Sequence, residues 1–183
     1  LTEWFFKVRA NRRELGAYKM DRNFIANICS LGSAFFAEQI KAKGPNTLVS
    51  SACASTTQAI ALAEDWIRTG RCDRVIVVGG EDATSDTQNQ WIGSGFLAVG
   101  AASVEKSVNR AAKPFDRARN GTILGAGAVA LILERQSTVE KRGLRGQAEL
   151  MGATSGNSAH HTYNFDVNNM AAAMADFVTS VEK

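Results

Sequence analysis

Thr47-Leu-Val-Ser-Ser-Ala-Cys-Ala-Ser-Thr-Thr-Gln-Ala-Ile-Ala-Leu-Ala63 is the stretch on which the reading of this chain turns. It starts as a short extended run, bends sharply at Ala52-Cys53 and continues as an alanine-rich helix to about Thr69. A cysteine between an extended run and a helix start lies beside amides that have no partner within the helix. The helix dipole favours negative charge there. Both effects favour the thiolate, which is the nucleophilic form. The other reading of Cys53 is a small buried apolar residue, as free cysteines often are. This segment alone leaves both open.

Working outward, Ala59, Ile60, Ala61, Leu62, Ala63, Trp66 and Ile67 cover most of the helix circumference, which predicts a helix buried all round. Gly70 closes it. Arg74-Val-Ile-Val-Val-Gly-Gly80 is a continuous apolar run, as in strands covered on both faces of a parallel sheet. On the other side, Phe24, Ile25, Ile28, Leu31, Phe35 and Phe36 recur at helical spacing, predicting a helix over 21–42 with Asp21 as N-cap and Gly44-Pro45-Asn46 as its stop. Cys29 falls in that apolar pattern and reads as core. Residues 81–112 mix glycine with Trp91, Ile92, Phe96 and Leu97, which fits either backbone threaded around a cavity or a packed loop. Val129-Ala-Leu-Ile-Leu-Glu134 reads as a second covered strand, 137–142 as a short helix closed by Gly143, 147–152 as a further strand, and 168–183 as an amphipathic helix carrying Met170, Met174, Phe177 and Val181. Alternating strands and helices predict an α/β layered fold. No repeat or low-complexity linker interrupts the 183 residues, which read as one domain or part of one.

The composition removes several function classes. Charges of both signs are interspersed and the net charge is +3, so nucleic-acid binding is not expected. No apolar run approaches the length of a membrane span, and 1–16 does not have the pattern of a signal peptide. Three widely spaced cysteines make neither a disulfide framework nor a metal site. A reducing, cytoplasmic compartment is the simplest expectation.

Several ordered motifs then share one likeness. Gly44-Pro45-Asn46 with Val49-Ser-Ser-Ala-Cys-Ala-Ser55 resembles the turn, strand and active-site cysteine of the β-ketoacyl synthases, the condensing enzymes of the thiolase-like superfamily. Residues 63–70, Asp73 and the run to Gly79-Gly80-Glu81 resemble the helix, strand and glycine pair that follow. Lys113-Pro-Phe-Asp-Arg-Ala-Arg-Asn-Gly121, Leu124-Gly-Ala-Gly-Ala128 and Leu133-Glu134 are similar to the second signature of that family. The likeness runs from about 17 to 183. It implies a layered αβαβα fold made of two similar halves, with 1–183 an interior part of the first half and its continuation.

The resemblance also implies a chemistry. Cys53 takes an acyl group from a thioester, and a malonyl thioester then loses carbon dioxide and attacks that acyl group to give a 3-oxoacyl thioester. No cofactor or metal is implied, because the substrates ride on the phosphopantetheine of an acyl carrier protein. Trp91, Phe96 and Thr122 fall where the family lines its acyl pocket, and Lys41 at a basic position that meets the carrier in some members. Residues 48–50 fall in the strand through which members form homodimers or pseudo-dimers. The catalytic histidine pair belongs to the second half; His160 and His161, the two histidines of this chain, do not match it. Asn120, Thr122, Ala126 and Thr56 depart from residues common in the family. Alternatives are a chain-length-factor-like partner subunit, which typically lacks the cysteine, a thiolase-type enzyme acting on acyl-coenzyme A, and a fragment without independent function.

Overall fold

A computed structural model describes residues 31–161 and 164–182. Asp21, Phe24, Ile25, Ile28 and Cys29, on which much of the expected first helix rested, lie outside the described residues. The chain divides into two compact units, one of Gly79–Val129 with 31–36, the other of Ala37–Val78 with Ala130 onward.

The second of these units carries the cysteine. Helix α1, Gly32–Ile40, ends four residues before Gly44 of the Gly44-Pro45 stop read from the sequence. Its last carbonyls are met by Ala42 N–H on Ala37 O at 2.9 Å and Lys41 N–H on Glu38 O at 3.3 Å, with Lys41 at φ +57°. This is the closure in which a left-handed residue lets two amides fold back on the last turn. Helix α2, Ser55–Arg68, ends the same way, with Gly70 at φ +73° and Arg71 N–H on Trp66 O at 2.9 Å. Glycine is needed there because a side chain disfavours that conformation. The expectation that α2 is buried all round needs correction. Ala63 and Glu64 are buried, whereas Ile60, Leu62, Trp66 and Ile67 are only half-buried and Thr57, Asp65 and Arg68 are exposed. Glu64 meets Arg68 one turn on, at 2.6 Å.

Strand β1, Arg74–Asp82, pairs with β2, Ala126–Glu134, in a two-stranded sheet. Arg74 lies opposite Glu134 and Gly80 opposite Ala128, so the pair is antiparallel. The sequence had pointed to a parallel sheet covered on both faces. An apolar run reports burial, not strand direction, and here burial alternates: Val77 is buried while Val78 is 51% exposed. β2 is open over most of its length, with Ile132 66% exposed. The strand expected over 147–152 is absent, because none of its backbone pairs in the sheet. Instead Gly152 lies under helix α6, Val167–Val181, where an added Cβ would sit 3.0 Å from Val181 and 3.6 Å from Phe177. α6 starts on Asp166, whose carboxylate accepts Asn169 N–H at 3.0 Å. The short helix near 137–142 forms as read, as α5, Gln136–Lys141, with Gly143 at φ +66°.

In the other unit, Asp86–Ala98 is one helical run. It comprises α3, Asp86–Gln88, a π turn, Asn89–Gly93, and α4, Ser94–Ala98. The mixed glycine and aromatic content had suggested either backbone threaded around a cavity or a packed loop; a helix was not expected, and Gly93 and Gly95 each weaken one by about 1 kcal/mol. Gly93 has a packing reason: a Cβ there would lie 3.1 Å from Asn89 Oδ1 and 3.6 Å from Leu124 Cδ1.

The ladder end is pinned by charge. Glu134 accepts from Arg74 at 2.8 Å and Arg142 at 2.9 Å. The Arg74 bond draws its carboxyl down first, desolvation opposes it, and Arg142 adds to the fall, leaving it at about 2. A carboxyl lowered on folding stabilises fully above its unfolded value and loses that contribution as pH falls through the folded one. Urea midpoints measured across pH should therefore drop more steeply between 4.5 and 2 in the parent protein than in Glu134→Gln. Parallel curves would show that the two arginines contribute no such linkage.

Candidate active site

Cys53 sits two residues before the first residue of α2, not within it, on a turn held by polar contacts. Ala52 takes φ +48°, a region that costs a residue with a Cβ about 1–2 kcal/mol. Ser55 Oγ accepts Ser51 N–H at 2.8 Å and donates to Ala52 O at 2.7 Å, bridging both sides of the bend. Ser51 Oγ in turn donates to Gln58 Oε1, one turn into the helix. The backbone closes the rest: Ala54 N–H on Ser51 O at 3.0 Å and Ser55 N–H on Ala52 O at 3.1 Å. Hydrogen bonds worth about 0.5–1.5 kcal/mol each are together large enough to offset the Ala52 strain. The result is an exposed, free thiol on an over-determined bend ahead of a 14-residue helix. The buried-core alternative for Cys53 does not hold. Sequence reading found the cysteine but passed over Ser55 and Gln58; their one signal was placement two and five residues after it.

Residues 48–50 lie outside the two-stranded sheet, with Leu48 49% exposed. Lys41 is exposed at the α1 closure. His160 and His161 are exposed, and His161 Nδ1 accepts Asn164 N–H at 3.2 Å.

In the other unit, the structure brings two of the three expected pocket residues to one segment. Phe96, half-buried on α4, offers its carbonyl to Ala101 N–H at 2.8 Å and Ala102 N–H at 3.1 Å. Thr122 pairs with the same segment, donating to Ala101 O and accepting from Ser103 N–H, both at 2.9 Å. Trp91, on the π turn, is 61% exposed. Gly121, at φ +112°, lets the backbones approach this closely: a Cβ would lie 2.7 Å from both Ala102 C and Ser103 N.

Asn120 locks the approach. Its Oδ1 accepts Ser103 Oγ–H at 2.7 Å, and its Nδ2 donates to Arg110 O at 2.8 Å. The sequence flagged this residue only as a departure from aspartate. The amide supplies an acceptor and a donor at once, whereas a carboxylate cannot donate to the Arg110 carbonyl. Glu105 steadies the same loop by accepting Ser107 N–H at 2.9 Å and Arg110 Nη2 at 3.0 Å; the Ser107 bond is the main reason its carboxyl titrates below the usual range. Among the described residues no group of His, Cys, Asp or Glu is placed to hold a metal, and no helix is long and apolar enough to cross a membrane.

The family model described as β-ketoacyl synthase, N-terminal domain, matches residues 7–139. The chain is 35% identical over 136 residues to 3-oxoacyl-[acyl-carrier-protein] synthase I, chloroplastic, of Arabidopsis thaliana, covering 73% of this chain and 28% of that protein. It is 36% identical over 122 residues to the tetracenomycin polyketide synthase ketoacyl synthase alpha subunit of Streptomyces glaucescens, covering 66% and 28%. The chain thus spans less than a third of the length of these relatives. A β-ketoacyl synthase crystal structure from Burkholderia phymatum superposes with a TM-score of 0.80 at 24% identity, covering 93% of this chain and 40% of that one. A type II polyketide ketosynthase, solved with its acyl-carrier protein and bound to a hexaketide, gives 0.77 at 26% identity, covering 91% and 42%. These likenesses show the thiolase-like fold of the synthases, of which this chain carries part.

Two substitutions test the loop. Gly121→Ala should lower unfolding stability by more than about 1 kcal/mol, since alanine must adopt a positive φ against backbone. Asn120→Asp should cost about 0.5–1.5 kcal/mol at neutral pH, through loss of the solvent-exposed bond to the Arg110 carbonyl. Denaturant titration measures both; an Asn120→Asp midpoint equal to the parent's would show that the Arg110 bond does not matter.

Proposed function

We propose a function from one premise: the chain belongs to the β-ketoacyl synthase family. Cys53 is the nucleophile of a 3-oxoacyl-[acyl-carrier-protein] synthase of fatty-acid or polyketide synthesis. What carries this reading is the exposed free thiol of Cys53 on its strained bend before α2, inside the motif that resembles the active-site cysteine of the family.

The thiolate attacks the carbonyl carbon of an acyl thioester. The C–S bond to the carrier breaks, the carrier sulfur leaves as a thiolate that takes a proton from water, and an acyl-cysteine remains. Splitting the transfer in this way gives two steps of lower barrier. In the second step malonyl thioester loses carbon dioxide. The electron pair left at its α-carbon attacks the acyl-cysteine, expels the Cys53 thiolate and yields the 3-oxoacyl thioester. The Cys53 backbone amide is one donor for the developing oxyanion, a use for which amides at a helix start are suited. Enolate stabilisation is assigned to the family's catalytic histidine pair, which His160 and His161 do not match in position.

Substrate contacts are assigned to Phe96 and Thr122, supported by their convergence on 101–103, and to Trp91 as an exposed aromatic ahead of Phe96. The carrier is an acyl carrier protein, supported by the relative solved with one. Residues 48–50 are proposed as the dimer edge, supported by their place outside the sheet and the exposed side chain of Leu48. Two free thiols, Cys53 and Cys72, fit a cytoplasm-like reducing compartment.

Incubation with an acyl-coenzyme A or acyl carrier thioester, followed by peptide mass spectrometry, should find the acyl group on the Cys53 peptide and not in Cys53→Ser. Absence of the adduct in the parent protein favours a partner that shapes a pocket without bearing the nucleophile.

A further inference from the structure

The geometry points to Ser55 as the residue that positions Cys53 for acyl transfer, with Ser51 and Gln58 as its support. The inference rests on the reading of Cys53 as the nucleophile. Ser55 is not itself given a chemical step.

The hydroxyl of Ser55 has two partners, and they lie on opposite sides of the bend. It accepts the Ser51 amide at 2.8 Å and donates to the Ala52 carbonyl at 2.7 Å. Ala52 is the left-handed residue immediately before Cys53. Removing that hydroxyl frees the Ser51 amide and leaves the Ala52 carbonyl to the Ser55 N–H alone, at 3.1 Å, so the left-handed residue loses both of its side-chain ties. Ala54 and Gln58 remain bonded through the backbone, so α2 itself persists. What relaxes is the direction of the peptide that carries the thiol. Gln58 acts one step further out, by fixing the Ser51 hydroxyl from within the helix. Exposed thiols on a relaxed loop still react with small reagents. Attack on a thioester additionally needs the sulfur and the oxyanion donor to keep a fixed relation, and a misplacement near 1 Å can cost about 100-fold in rate.

The test compares two reactions at Cys53 in the same protein: acyl transfer from hexanoyl-coenzyme A, and alkylation by iodoacetamide, both followed by mass spectrometry. Ser55→Ala should slow acyl transfer by about 10- to 100-fold while alkylation changes by less than about 3-fold. Ser55→Thr, which keeps the hydroxyl, should restore most of the transfer. Gln58→Leu should show a smaller loss, about 3- to 10-fold, in transfer alone. Folded fractions from circular dichroism are measured beside each rate. Transfer that is unchanged in Ser55→Ala, or that falls only in proportion to the folded fraction, overturns the positioning role while leaving Cys53 as nucleophile. No transfer in the parent protein, with normal alkylation, overturns both.

Discussion

Both ends of α2 are held by hydrogen bonds that its own backbone cannot supply. A helix leaves its first amides and last carbonyls without internal partners, and a segment that must stay in register needs them met. At the far end, Arg71 and Gly70 fold back on Trp66 and Ile67, and Arg135 reaches in from the exit of β2 to donate to Ile67 O. Arg135 is itself tied to the entry of β1, through its amide on Asp73 O at 2.8 Å and its Nε on Asp73 Oδ1 at 3.2 Å. At the near end, Ser55 and Gln58 fasten the bend that carries Cys53. The reactive group and the sheet are therefore linked by one helix with both ends clamped. Rigid elements hold a site more tightly than loops do.

The loop unit meets a similar demand by different means. Close approach of 101–103 to 120–122 requires a residue without a Cβ, and Gly121 supplies it. It also requires that the polar groups drawn together be satisfied, and Asn120 supplies both an acceptor and a donor. A departure that looked incidental in the sequence is thus explained by local hydrogen bonding. Thr122, also a departure, gains its place from the same backbone pairing, whatever its side chain contacts.

Apolar patterning gave a sound account of what each segment is suited to pack against and a poor account of what packs there. Val129, Leu131 and Ile132 on β2, and Met170 and Met174 on α6, form the patterns expected of covered faces yet are exposed. The chain spans less than half the length of its relatives, and these faces are apolar surface of a kind that monomeric proteins keep small.

Sequence alone determined the family, the nucleophile candidate and the helix-ending glycines at 70 and 143, because each depends on local chemistry: a motif, a thiol beside a helix start, a residue that tolerates positive φ. It also set the existence of α2, β1, β2 and α6, since their periodicity or apolar runs are properties of contiguous residues. Tertiary structure decided the rest. Antiparallel pairing, the failure of 147–152 to form a strand and the partners of Asn120 and Glu134 all depend on which distant backbone and side-chain groups meet. A hydrogen bond between residues sixty positions apart, as between Arg74 and Glu134, leaves no trace in the local spacing of either.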